Sequence, residues 1–465
     1  MGACCNGRRS SIELNTVAVM HILFVVPYAP TAIRVRPYSL VRFLAQRGHT
    51  VTLATLWEST AEQQALVQLE SQGIRVITAP LSKPQKIHNV IRGWWRGLPI
   101  QAGFCESTAL LDQIQQFLAS TSVDLIHVEH LRGAYYGLAL AHNQPAPVIW
   151  DSVDCITYLF EQAATRSRSL TGRIMTQIDL RRTRRYEGWL ARQFGRVLVT
   201  SINDLVALQK LAGDIADIRV LSNGVDLEYF APTGMPYIPD TVVYSGKMSY
   251  HANVSAALYL AEEIMPLVWK HKPDVRLNIV GSKPPARIRQ LAKDSRISVT
   301  GYVQDMRQPL RTAAVAVAPL LYGAGIQNKV LEAMACGTPV VATSLAVSAL
   351  ELQTGRDCLV ADTPSTLATA ILEVLNSGAL RARLSQSGRQ FVETHHNWHH
   401  IIAQLEQHYQ AVIALSKNAV TAGATNSATG IGGEYSYVHQ SNSKSNSTDS
   451  LARTDASVAT HAQPG

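Results

Sequence analysis

Gly323-Ala-Gly-Ile-Gln-Asn-Lys-Val-Leu-Glu-Ala-Met-Ala-Cys-Gly-Thr-Pro-Val-Val341 is the stretch whose reading decides the fold. An apolar run at 314–320 leads into it, and a helical pattern opens near Ile326 or Gln327. Gly323 and Gly325 allow backbone to come close to a ligand. Amides at the helix start, reinforced by the helix dipole, suit a diphosphate. Glu332 lies deeper in the same helix, where a carboxylate accepts hydrogen bonds from ribose hydroxyls. Lys329 either neutralises phosphate or points to solvent. Taken alone, the segment also fits an ordinary strand-to-helix loop with a solvated glutamate.

Upstream, Ser245-Gly-Lys-Met-Ser-Tyr-His-Ala-Asn253 follows an apolar run at 241–246 and precedes a helical pattern at 253–270. Gly246 leaves room at the strand end, and Lys247 reaches a phosphate as a point charge. A surface lysine in a turn is the plain alternative. Ser222-Asn-Gly-Val-Asp226 reads as an interdomain hinge or as any tight turn. In the first half, His130 ends the run 124–130, Asp151 and Asp154 follow 147–151, and Arg34 and Arg36 follow 21–28. Polar groups at strand ends suit an acceptor hydroxyl and a departing anion, and serve equally well as structural hydrogen-bonding groups.

Continuous Val/Ile/Leu runs predict strands at 21–28, 50–55, 75–80, 124–130, 147–151, 196–201 and 218–222. A second series follows at 241–246, 275–281, 297–303, 314–320, 339–344 and 358–362. Helical patterns lie between them, such as 36–47 and 253–270. Unbroken apolar strands alternating with helices imply parallel sheets covered on both faces. The expected fold class is therefore α/β, with two Rossmann-like doubly wound domains in succession, facing each other across a cleft. Their expected extents are 20–225 and 226–397, with Pro232, Gly234, Pro236 and Pro239 breaking the pattern between them. A helix at 398–415 follows, and residues 1–19 and 416–465 read as disordered, too poor in large apolar residues to offset ordering entropy.

The 465 residues are 46% hydrophobic and 16% charged, a globular composition. The net charge of +8 owes much to an arginine-rich stretch at 166–196, which fits a solvated helix face or a polyanionic partner such as an anionic membrane surface. The six cysteines show no metal-ligand spacing, so a reduced, intracellular chain is expected, with no metal and no cofactor. The apolar run 16–26 is interrupted by His21 and followed by Pro27 and Pro30, which favours a buried strand over a signal peptide. No segment reaches the ~18–20 apolar residues of a membrane span.

Together these segments resemble retaining glycosyltransferases of the GT-B fold, the group 1 or family 4-like class. Leu-Glu-Ala-Met-Ala-Cys-Gly-Thr-Pro-Val-Val (331–341) is similar to that family's donor site, and Ser222-Asn-Gly-Val-Asp226 with Phe230-Ala-Pro232 to its hinge. Gly-Ile-Gln-Asn-Lys-Val-Leu-Glu (325–332) and Val128-Glu-His130 resemble the subgroup associated with exopolysaccharide export.

The resemblance implies a first domain for the acceptor and a second for a nucleotide-sugar donor. It implies donor contacts from Gly246, Lys247, Gly325, Ile326, Lys329 and Glu332, and catalytic roles for His130, Asp154 and Arg36. His130 would touch the donor sugar. Transfer would be metal-independent and retaining, to a saccharide or lipid-linked acceptor, in a cytoplasmic protein peripheral to the inner membrane face, with no nucleic-acid partner. The family's first glutamate is replaced by Ala324 here. A nucleotide-sugar epimerase and a non-catalytic basic binding protein are the rival readings.

Overall fold

The computed structural model describes residues 18–31, 34–166, 170–234, 236–323 and 325–423. Ala324 and most of the segments expected to be disordered, 1–17 of 1–19 and 424–465 of 416–465, lie outside the described residues.

Among the described residues, thirteen strands form two sheets. The first contains β1 (His21–Val26), β2 (Thr50–Trp57), β3 (Arg75–Pro80), β4 (Leu125–Glu129), β5 (Val148–Val153), β6 (Arg196–Val199) and β7 (Ile218–Val220). The second contains β8 (Ile238–Ser245), β9 (Arg276–Val280), β10 (Ile297–Val299), β11 (Ala313–Ala318), β12 (Val340–Ala342) and β13 (Leu359–Val360). All pairings between these strands are parallel. Every expected strand exists, and the fold is two Rossmann-like domains. The strands are legible because helices bury both faces: β4 and β11 have no exposed position.

Strand order places the ligand crevices. The first sheet runs β3-β2-β1-β4-β5-β6-β7 and the second β10-β9-β8-β11-β12-β13. In each, the order reverses between the first strand and the fourth, and a crevice opens beyond the strand ends at that point. The β8–Lys247 loop and the glycine loop after β11 flank the crevice of the second sheet. The ends of β1 and β4 flank that of the first.

Two helices depart from expectation. The one expected at 253–270 is His251–Tyr259, a π-turn at Leu260–Ile264, then Met265–Trp269. Pro266 lacks an N–H and cannot continue the ladder, so the extra residue is absorbed just before it. The last helix runs Trp398–Gly423, past the expected end at 415. Ala419, Ala422 and Lys417 propagate a helix already nucleated, which requires good helix formers and no burial.

That last helix closes the first domain. Trp398, Ile401, Ile402, Leu405, Tyr409 and Val412 recur on one stripe and share a core with Ile22 and Phe24 of β1 and with Leu40 and Leu44. Each such side chain contributes about 1.5–3 kcal/mol by leaving water. Among the described residues, no helix is long and apolar enough to cross a membrane.

Candidate active site

On the second sheet's side, a single asparagine holds two loops together. Asn253 Nδ2 donates to the Lys247 carbonyl at 3.0 Å, and Asn253 Oδ1 accepts from Lys329 Nζ at 2.6 Å. The Gly246 carbonyl presses against Gly281, where a Cβ would stand 1.8 Å from it, so only glycine fits at 281. Lys329 Nζ also lies 5.1 Å from the centre of the Tyr244 ring. Burial pulls the Lys329 ammonium down to about 8. Burial likewise pushes Glu332 up to about 7, with Lys329 opposing the shift. Among the described residues nothing donates a hydrogen bond to the Glu332 carboxylate.

Lys247 is exposed and has no ion-pair partner among the described residues. Its pKa is lowered, first by partial burial, then by Arg34, Lys283 and Arg132. Two of these cations belong to the first domain and one to the second, so the cleft carries converging positive charge. The helix after the glycine loop is Asn328–Ala335, and its N-cap Gln327 places no side chain on the first amides. That start leaves donors and a positive dipole end facing the crevice. Ile326 is 9% exposed and anchors the loop in the core, so only its backbone is available to a ligand.

The two domains touch at the glycine loop. Gly325 has φ +67°, and a Cβ there would stand 2.1 Å from Asp154 Oδ1. Gly323 N donates to Gln162 Oε1 at 3.3 Å. Asp154 follows β5 and accepts from Thr200 Oγ1 at 3.2 Å. Burial, then the neighbouring Asp204, raises Asp154 to about 7.

His130 follows β4 at φ 67° and ψ 158°, a backbone region that costs a non-glycine residue about 1–3 kcal/mol. Val153 near the Asp154 turn also has φ 67°. Backbone strain thus gathers where β4 and β5 end. The His130 Nδ1 accepts from the Arg132 amide at 3.1 Å, which leaves the proton on Nε2. Burial, then Arg132, lowers its pKa to about 3. His130 is therefore a neutral Nε2–H donor and not a general base.

Arg36 sits deep in the first domain's edge. It is 4% exposed, and its Nε donates to Asp151 Oδ2 at 2.8 Å. Its Nη1 reaches the Leu221 carbonyl at 3.0 Å and Asn223 Oδ1 at 2.8 Å. Against the upward pull of burial, Arg36 and His127 hold Asp151 below its ordinary range. Through Nε and Nη1 this guanidinium is a tie between β5 and the hinge, and its Nη2 makes no hydrogen bond. The tie extends onward: Asn223 Nδ2 donates to Asn328 Oδ1 at 3.3 Å, at the start of the Asn328–Ala335 helix. Gly224 beside it is obligatory, because a Cβ there would stand 2.6 Å from the Trp398 ring.

Sequence reasoning missed Asn253 as the clamp between loops, although it closes the quoted run 245–253. It also missed Arg132, Gln162 and Gly281, whose partners lie far away in sequence. Among the described residues no group of three His, Cys, Asp or Glu is arranged to hold a metal ion.

Comparison with known proteins bears on this geometry. A glycosyltransferase family 4 model matches residues 34–229, and a model for group 1 glycosyl transferases matches 239–377. The chain is a GT-B glycosyltransferase. The phosphatidyl-myo-inositol mannosyltransferase of Mycobacterium leprae is 24% identical to this glycosyltransferase over 391 residues, covering 81% of it and 95% of that protein. The corresponding protein of Mycobacterium tuberculosis (strain H37Rv) is 24% identical over 410 residues, covering 84% and 97%. Among solved structures, sucrose-phosphate synthase from Thermosynechococcus elongatus superposes with a TM-score of 0.63 at 16% identity, covering 85% of this chain and 100% of that one. Anabaena Alr3699/HepE in complex with UDP and glucose gives 0.60 at 16%, covering 84% and 100%. At such identities the superpositions speak to the fold of this glycosyltransferase. Neither the epimerase nor the non-catalytic reading is favoured by these likenesses.

Proposed function

We propose that this glycosyltransferase moves a sugar from a nucleoside-diphosphate carrier to a hydroxyl of a lipid-linked or saccharide acceptor, with retention at the anomeric carbon. The observation that carries the proposal is the contact of Gly325 with Asp154, which sets the donor loop of one domain against the acceptor edge of the other. In this reading the diphosphate lies between Lys247, Lys329 and the uncapped amides of the Asn328–Ala335 helix. Ionised Glu332 accepts from the ribose hydroxyls. His130 Nε2–H donates to a hydroxyl of the donor sugar, and Asp154 receives a hydroxyl across the cleft.

The bond from the anomeric carbon to the diphosphate breaks, and the acceptor oxygen bonds to that carbon on the same face. The acceptor proton passes to the departing diphosphate, whose charge the lysines and amides stabilise. Protein cations and amides supply that stabilisation, so transfer is expected to persist in EDTA. Supporting a lipid acceptor, the mannosyltransferases named for phosphatidyl-myo-inositol match over most of both chains. Supporting a UDP-type donor, Alr3699/HepE has been solved with UDP and glucose. Glycolipid synthesis is the reading these likenesses favour, with polysaccharide synthesis the alternative that the 325–332 run supports. The direct test is calorimetry with UDP, GDP and ADP: one of them binds, and Glu332→Gln weakens it. Absence of binding by all three removes the donor site.

A further inference from the structure

The helix Lys83–Trp95 presents the reverse of a core-facing pattern. Its buried positions are Asn89 and Gly93, while Ile87, Ile91, Trp94 and Trp95 are 63%, 54%, 37% and 83% exposed. Their spacing puts all four on one stripe. The inward face is set by close docking: Asn89 Nδ2 donates to the Glu106 carbonyl at 2.7 Å, and a Cβ on Gly93 would stand 3.6 Å from the Gly103 Cα. The helix cannot turn its apolar side inward without losing both contacts, so the stripe is held in solvent. An exposed apolar stripe of this kind marks an interaction surface.

The charge around it has one sign. Residues 83–105 contain Lys83, Lys86, Arg92 and Arg96 and no acidic residue. Lys86 is paired with Glu58, and Arg92 and Arg96 with Glu106. The helix Leu170–Leu190 packs alongside. Arg182 lays its guanidinium 3.5 Å from the Trp94 ring centre and donates to the Trp94 carbonyl at 2.9 Å. Arg181 and Arg185 of that helix are exposed and have no ion-pair partner among the described residues. Its two acids are turned inward: Asp179 accepts from the Ile100 amide, and Glu187 from the Ile156 and Thr157 amides. The face therefore offers arginine and aromatic groups with no compensating carboxylate of its own helices.

We infer that the face built from helices Lys83–Trp95 and Leu170–Leu190 docks this glycosyltransferase on an anionic phospholipid surface. Ile87, Ile91, Trp94 and Trp95 enter the boundary between headgroups and acyl chains, and Arg181 and Arg185 meet the lipid phosphates. A second copy of the chain on this face would set arginine against arginine, whereas anionic lipid matches both the apolar stripe and the charge. The surface also adjoins the cleft. Gln101, in the turn Ile100–Gly103 after the stripe, accepts from Arg132 Nε at 2.7 Å, and the Arg132 amide donates to His130. Docking there brings the acceptor edge towards the bilayer, where a lipid-linked acceptor resides.

The test is flotation of the full chain with vesicles of phosphatidylcholine alone and of phosphatidylcholine with phosphatidylglycerol. The chain is expected to float with the anionic vesicles only, and less so at high salt. Ile91→Asp with Trp95→Asp lowers vesicle affinity by more than about tenfold. Arg181→Ala with Arg185→Ala lowers it about fivefold per arginine. Both pairs alter exposed positions, so the melting temperature stays at the wild-type value. Wild-type chain left behind by anionic vesicles, or the Asp pair floating as well as wild type, overturns the inference. So does light scattering that shows self-association abolished by the Asp pair while vesicles go unbound. Flotation is measured without nucleotide, so its failure leaves the donor assignment standing, and failure of nucleotide binding leaves this surface standing.

Discussion

The two edges of the cleft are built on opposite principles. On the first domain's edge the polar groups are largely tied to one another: Arg36 with Asp151 and the hinge, Tyr28 with Glu129, and His127 with Tyr409 of the last helix, with Arg36 Nη2, Glu129 Oε2 and His127 Nε2 left without a hydrogen bond. On the second domain's edge the groups await partners. Lys247 is exposed, Glu332 has no donor among the described residues, and the Asn328–Ala335 helix starts without a side-chain cap. A matched buried network specifies one arrangement and resists change. Unmatched charge beside glycine backbone is unfavourable until a ligand arrives, and that cost is part of what makes binding selective. In the proposed function the first edge is a frame and the second a receptor.

The largest expected effect tests the receptor. Lys247→Ala combined with Glu332→Gln removes two charge-assisted contacts, each worth about 1.5–3 kcal/mol, and should lower transfer about a thousandfold with little change in melting temperature. Full transfer by the double variant, measured by product formation from radiolabelled donor, would break the assignment. The frame is tested by Arg36→Ala. Leaving Asp151 buried without its guanidinium partner should cost about 3–5 kcal/mol in denaturant unfolding. An unchanged stability with lost activity would return Arg36 to the catalytic set.

A smaller effect probes the join between the edges. Gly224→Ala sets a methyl against the Trp398 ring, and a loss of about 1–3 kcal/mol is expected from forced repacking, read as a lower melting temperature. The subtlest test is the pH dependence of nucleotide affinity. Glu332 ionises as pH rises through about 7, and Lys329 loses its charge as pH rises through about 8. Affinity should therefore climb towards the interval between them and fall above it. Glu332→Gln should flatten the acidic limb and leave the basic one. A profile identical in both proteins would mean that Glu332 does not meet the ribose.

The same contrast explains what could be read in advance. Receptor residues sit in short contiguous runs: Gly246 with Lys247, and Gly325 with Lys329 and Glu332, because strand-to-helix loops deliver them in sequence to one crevice. Frame residues pair at long range, Arg36 with Asp151 over 115 positions, so the partner of a strand-end arginine could not be read from its neighbours. His130 was recognisable by position, but its neutral, donating state depends on burial and the Arg132 amide. The outward stripe at Ile87, Ile91, Trp94 and Trp95 is present in the letters. Only the docking of Asn89 and Gly93 shows which way it faces.

By itself the sequence determined the thirteen strands of the described residues, their parallel class and the glycine loop after β11, because doubly covered strands must be continuously apolar and loops where another group comes close to the backbone must carry glycine. Tertiary structure decided which charges are spent on one another and which remain for a ligand. That partition depends on burial and on partners far apart in the chain, and no local pattern encodes either.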